Sequence, residues 1–90
     1  MKTTETETIA QAREWIDKIR EYHKDSGPNS MSILTAASVL EEAIDEASPK
    51  ELAEIEALLA STNLFTMVDS RWGESALKIT REALAIVFPA

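Results

Sequence analysis

The sequence predicts an all-α fold, a compact bundle of about four helices in one small domain spanning residues 1–90. Apolar residues recur in four blocks at the spacing of one helix face, as in the first block, where the steps are three, four, three and four. No block alternates with the period of two expected of a β-strand. Four helices with short connections indicate a bundle. Residues 1–5 are expected to form a disordered tail.

The first helix is predicted over residues 6–25. Its apolar face consists of residues at helical spacing: Ile9, Ala12, Ile16, Ile19 and His23. Gly27 and Pro28 end it, because glycine readily adopts the left-handed backbone of a helix end and proline cannot continue the hydrogen-bond ladder. His23 is interpreted as a partly buried structural residue in the last turn.

The second and third helices are predicted over residues 31–47 and 49–61. Ser48 and Pro49 mark the start of the third, since serine caps a helix and proline fits its first position. Glu51 stands where its side chain can reach back to the cap. Residues 62–69 are too few for periodicity to decide between a short helical turn and an apolar loop.

The fourth helix is predicted over residues 70–88 and ends before Pro89. It carries two apolar stripes, one with Trp72, Ala76, Ile79, Ala83 and Ile86, and one with Leu77, Leu84 and Phe88. Either the helix is central and packs on two sides, or the second stripe forms a dimer or partner interface.

The net charge is strongly negative, with 16 Asp and Glu against 9 Lys and Arg, or −7. This balance argues against nonspecific attraction to nucleic acid or to an anionic membrane. The acidity is local, because residues 31–60 carry seven acidic side chains and only Lys50 as a base. Both outer thirds are close to neutral.

The acidic residues of the second helix project away from its apolar stripe. They include like charges one turn apart, near a helix end where the dipole favours cations. Because a locally unfavourable arrangement often marks a functional site, we predict an acidic partner-binding face. Its residues are Glu41, Glu42, Asp45, Glu46, Glu51 and Glu54. The alternative is a solvated face that only maintains solubility.

Basic residues on two other helices are interpreted as salt-bridged solvent faces. Arg13, Arg20 and Lys24 share an edge of the first helix. On the fourth helix, Lys78 is spaced for ion pairs with both Glu74 and Glu82.

No pattern in the sequence predicts catalysis, a cofactor or a metal. The chain has no cysteine and only two glycines, so neither a thiolate site nor a glycine-rich phosphate loop is expected. The carboxylates lack the loop of a calcium site. A cytoplasmic location is expected, since the first residues lack the apolar core of a signal peptide and the longest apolar run, residues 83–88, is too short to span a bilayer.

These observations favour a small protein-binding protein, without enzymatic activity, that docks its acidic face on a basic surface of another protein. If that surface normally holds nucleic acid, the chain would act as an inhibitor, in the manner of small acidic phage or plasmid proteins. The alternative is a homodimeric structural or adaptor module assembled through the last helix. Trp15 and Tyr22 are further candidates for interface contacts, because aromatic residues often anchor interfaces.

Overall fold

The computed structural model describes residues 6–25 and 27–89, and over these residues it confirms the all-α bundle. Four α-helices are present: α1 (Glu7–His23), α2 (Met31–Glu46), α3 (Pro49–Ala60) and α4 (Gly73–Val87). Short 3-10 turns lie between them, at Gly27–Ser30, Leu64–Thr66 and Ser70–Trp72. The described residues form no strand. The predicted tail at residues 1–5 lies outside the described residues.

The first two helices run antiparallel. The last residue of α1, His23, contacts Ser30 at the start of α2, with 3.0 Å between its Nδ1 and the serine Oγ. At the other end, Arg13 of α1 reaches Asp45 near the end of α2. Thr6 caps the start of α1, because its hydroxyl accepts a hydrogen bond from the Ile9 amide at 3.3 Å.

α2 and α4 start side by side and approach closely because Gly73 lacks a side chain. A Cβ added there would lie 2.7 Å from the Ser32 Cβ and 3.0 Å from the Ile33 amide nitrogen. The buried line of α4 continues through other small residues, Ala76, Thr80 and Ala83. Small side chains on this line let the two helix backbones come together, as the alanines of α2 do on the facing side.

The buried line of α4 differs from the predicted stripe. Trp72 was expected in that stripe but is 42% exposed, and Ile79 and Ile86 are only partly buried. The reason is the close packing on α2, which takes the small residues inside and leaves the larger apolar ones on both flanks. Leu77 and Leu84 lie on the second flank and are also partly buried against the core.

α3 begins directly after Ser48, which caps the helix as predicted. The Ser48 Oγ accepts from the Glu51 amide at 3.2 Å, and the Glu51 carboxylate accepts from the Ser48 amide at 2.9 Å. Residues 62–69, left open by the sequence, contain the short turn Leu64–Thr66, and the buried Leu64 packs into the core.

Two ring N–H groups of α1 hold this segment on the bundle. Trp15 donates from Nε1 to the Met67 carbonyl at 3.1 Å, and His23 donates from Nε2 to the Val68 carbonyl at 2.7 Å. Because a carbonyl only accepts, Nε2 carries the proton, and in the neutral ring Nδ1 accepts from the Ser30 hydroxyl. His23 is buried and joins three segments, in agreement with the structural role predicted for it.

Across the described residues, no helix is both long enough and apolar enough to cross a membrane.

Candidate functional site

The six acidic residues of the predicted face lie on the last turns of α2 and the first turns of α3. A two-residue connection, Ala47 and Ser48, joins these helices, so the end of α2 and the start of α3 are held close together. The structure divides the six into residues with a partner inside the chain and residues without one among the described residues.

Glu41 is paired with Arg20 across the α1–α2 contact. The two terminal guanidinium nitrogens donate to the carboxylate, Nη2 to Oε1 at 2.7 Å and Nη1 to Oε2 at 3.1 Å. This fork geometry is the strongest form of a surface ion pair. The hydrogen bond from Arg20 lowers the pKa of Glu41 below its ordinary value, and the same bond raises the pKa of Arg20.

Asp45 has a second arginine of α1 as its partner. The Arg13 Nη1 lies 3.3 Å from the Asp45 Oδ1, and both side chains remain partly exposed to solvent. Glu41 and Asp45 form one of the two like-charged pairs one turn apart that the sequence marked as unfavourable, the other being Glu42 and Glu46. The repulsion between them is offset by Arg13 and Arg20, so this part of the predicted face serves the α1–α2 contact.

Glu51 also has a role inside the chain. Its carboxylate closes the α3 cap by accepting from the Ser48 amide, and it stands in the first turn, where the helix dipole favours an anion. Glu51 still adds negative charge to the surface, but it is held in place by this hydrogen bond.

Glu42, Glu46 and Glu54 are exposed, and their carboxylates make no ion pair or hydrogen bond within the part of the chain that the structure describes. The half-exposed Glu56 shares this property. We call Glu42, Glu46 and Glu54 the free acidic set. The last turn of α2 contains no basic residue, so the negative end of its dipole lies beside Glu42 and Glu46 uncompensated by that turn.

The direction of α4 adds to the negative potential at this end. Because Gly73 lies against Ser32, α2 and α4 start at the same end of the bundle. They pack on each other more extensively than any other two elements of the described chain, and with 16 and 15 residues and the same rise per residue they also finish at the same end. The last turn of α4 likewise contains no basic residue. Two helix C-termini and the carboxylates of α2 therefore lie together.

The predicted aromatic contacts separate into buried and exposed residues. Trp15 was a candidate interface contact, but it is only 2% exposed and its indole N–H donates to the Met67 carbonyl, so it belongs to the core. Tyr22 is 66% exposed and packs edge-on against the His23 ring. Phe88 is 53% exposed at the end of α4. Leu77 and Leu84 are partly buried.

Two exposed surface features were not predicted. Met31 at the start of α2 is exposed, and near it a polar depression is lined by Tyr22, His23, Asn29, Ser30, Asp69 and Ser70. The sequence gives no sign of this depression, because its residues come from three separate segments. It lies at the opposite end of α2 from the free acidic set.

Comparison with protein-family models, with curated proteins and with solved structures finds no significant match in any of the three.

Proposed function

We propose that the chain is a protein-binding protein that docks the free acidic set on a basic surface of a partner protein. The observation that carries the proposal is the division of the carboxylates. Arg13 and Arg20 engage Asp45 and Glu41, whereas Glu42, Glu46 and Glu54 have no partner among the described residues. Carboxylates held on rigid helices without internal partners are available to basic side chains of another protein.

The helix ends strengthen the same surface. The C-terminal ends of α2 and α4 each contribute partial negative charge, and no cation in their last turns offsets it. The resulting local field attracts a basic surface and disfavours an acidic one.

The partner we propose is a nucleic-acid-binding protein, which the chain inhibits by occupying the basic site. A surface that binds phosphates through lysine and arginine is also complementary to a cluster of carboxylates. This step is an analogy with small acidic inhibitors of phage and plasmid type and rests on charge. The proposal places the encounter in the cytoplasm, consistent with a chain that has no cysteine to oxidise.

The first test is competitive capture of the partner. The immobilised chain is expected to retain a basic protein from a lysate of the source organism at low salt, and added duplex or single-stranded nucleic acid is expected to release it. A captured partner that remains bound in excess nucleic acid would contradict the inhibitory role. Capture of acidic or neutral proteins alone would contradict the docking surface itself.

The second test removes charge from the free acidic set. The double variant E42Q/E46Q is expected to weaken partner binding by about 2- to 30-fold, the effect of losing two exposed ion pairs of ordinary strength. The matched control is E14Q/D25N, which removes the same charge from exposed positions on α1 and just after it. An equal loss of affinity in both variants would show that only net charge matters, against a defined surface.

A further inference from the structure

The outer face of α4 is an unpartnered surface of a different kind from the acidic one. Glu74, Lys78, Arg81 and Glu82 are exposed there, and the partly buried Leu77 lies among them. They line a shallow groove whose lining residues all come from this one helix. No other described element covers it.

The four charges of this face have no partners inside the described chain. Lys78 stands one turn from both Glu74 and Glu82, yet neither predicted ion pair forms, and Arg81 has none either. The interpretation of this face as salt-bridged is therefore wrong for the described residues. All four charges remain available to another molecule.

The face is balanced in charge, with two acidic and two basic residues. A second copy of this chain would be repelled at the free acidic set, but meets no net repulsion at this face. The arrangement is also self-complementary. Glu74, Leu77 and Arg81 follow steps of three and four, so they lie along one edge of the helix with the leucine between the opposite charges.

We infer that this face binds a second copy of the chain, with the two α4 helices antiparallel about a two-fold axis beside Leu77. Reversing the direction of one helix places each Glu74 opposite the Arg81 of the other copy, which gives two equivalent ion pairs. The two Leu77 side chains pack between them near the axis. This contact is independent of the proposed function, and a dimer would present two free acidic sets to a partner.

Charge swapping tests the contact directly. Sedimentation velocity or light scattering over increasing protein concentration is expected to show a monomer–dimer equilibrium at low salt for the natural sequence. E74R places two Arg–Arg contacts in the interface and R81E places two Glu–Glu contacts, so each is expected to raise the dissociation constant at least about tenfold. The control E14R changes an exposed charge of α1 and is expected to leave the equilibrium unchanged.

Two experiments that restore opposite charges at the contact, and are therefore expected to restore dimerisation, complete the test. The double variant E74R/R81E restores opposite charges at both contacts and is expected to dimerise again. An equimolar mixture of E74R and R81E is expected to form a heterodimer, although neither forms a homodimer alone. A natural chain that stays monomeric at every concentration, or failure of both recoveries while circular dichroism shows folded helices, would overturn the inference.

Discussion

Gly73 is the residue on which the closest helix contact depends. Its missing side chain allows α4 to meet the first turn of α2, where a Cβ would stand 2.7 Å from the Ser32 Cβ. The neighbouring Ile33 amide nitrogen, 3.0 Å away, is backbone and cannot rotate aside. The sequence did not single out this glycine, because its role depends on which helix packs against it.

We predict that Gly73→Ala destabilises the protein by about 1–3 kcal/mol, the range for overpacking a close contact. The higher helix propensity of alanine stabilises the variant by up to about 1 kcal/mol, so the net loss of stability lies in the lower part of that range. Thermal unfolding of Gly73→Ala and of the natural chain measures this net loss of stability. Ser75→Ala, at an exposed position on the same helix, gains propensity without a clash and serves as the control. A melting temperature for Gly73→Ala equal to or above the natural one would contradict the close contact.

The Arg20–Glu41 pair gives a prediction for pH at the residue scale. Its hydrogen bonds lower the pKa of Glu41 in the folded state, so the folded state holds the proton less tightly than the unfolded state. The stabilisation is present above the ordinary pKa that the Glu41 carboxyl has in the unfolded chain and is lost as the pH falls through its lower folded-state pKa. Because the pair is partly exposed, its contribution is about 0.2–1 kcal/mol.

The variant E41Q measures this contribution. Urea unfolding at neutral pH is expected to show E41Q less stable than the natural chain, with the difference shrinking as the pH falls below the ordinary pKa of a glutamate carboxyl. The control E14Q removes a carboxylate that has no hydrogen-bonded partner among the described residues. A stability difference that stays constant with pH would contradict the role assigned to the ion pair.

At the scale of the helices, local sequence patterns predicted well how many helices form and where each one begins and ends. The four helices fall within about two residues of the predicted limits, except that α4 is preceded by the 3-10 turn Ser70–Trp72. The α3 cap was predictable because all its atoms come from four consecutive residues. The buried line of α4 was not predictable from the sequence. Hydrophobicity favours burial of the larger side chains, whereas the close approach to α2 buries the small residues Gly73, Ala76, Thr80 and Ala83.

The predicted acidic face was likewise only partly predictable, because its pairing depends on how the helices pack. Its acidic residues and the basic edge of α1 are both visible in the sequence, but their pairing depends on the antiparallel packing of α1 on α2. Only the structure shows that Arg13 and Arg20 reach Asp45 and Glu41 and that Glu42 and Glu46 remain without a partner in the described chain. The predicted dipole mismatch therefore remains unrelieved only at Glu42 and Glu46, on the last turns of α2.

At the scale of the whole molecule, the bundle separates two kinds of surface. The end where α2 and α4 finish carries carboxylates and two helix C-termini, and the outer face of α4 carries balanced charges. We assign a basic partner to the first surface and another copy of the chain to the second. The two contacts respond differently to substitution, since E42Q/E46Q leaves the α4 face unchanged and E74R leaves the free acidic set unchanged.

The central claim is that the free acidic set makes ion pairs with the partner, and the dependence of affinity on salt measures it most directly. The dissociation constant for the captured partner is determined from low to above physiological ionic strength for the natural chain, E42Q/E46Q and E14Q/D25N. Screening is expected to weaken the natural complex steeply, E42Q/E46Q is expected to show a shallower dependence, and the control is expected to follow the natural chain. An affinity that does not change with salt, or equal slopes for all three proteins, would contradict the proposed ion pairs.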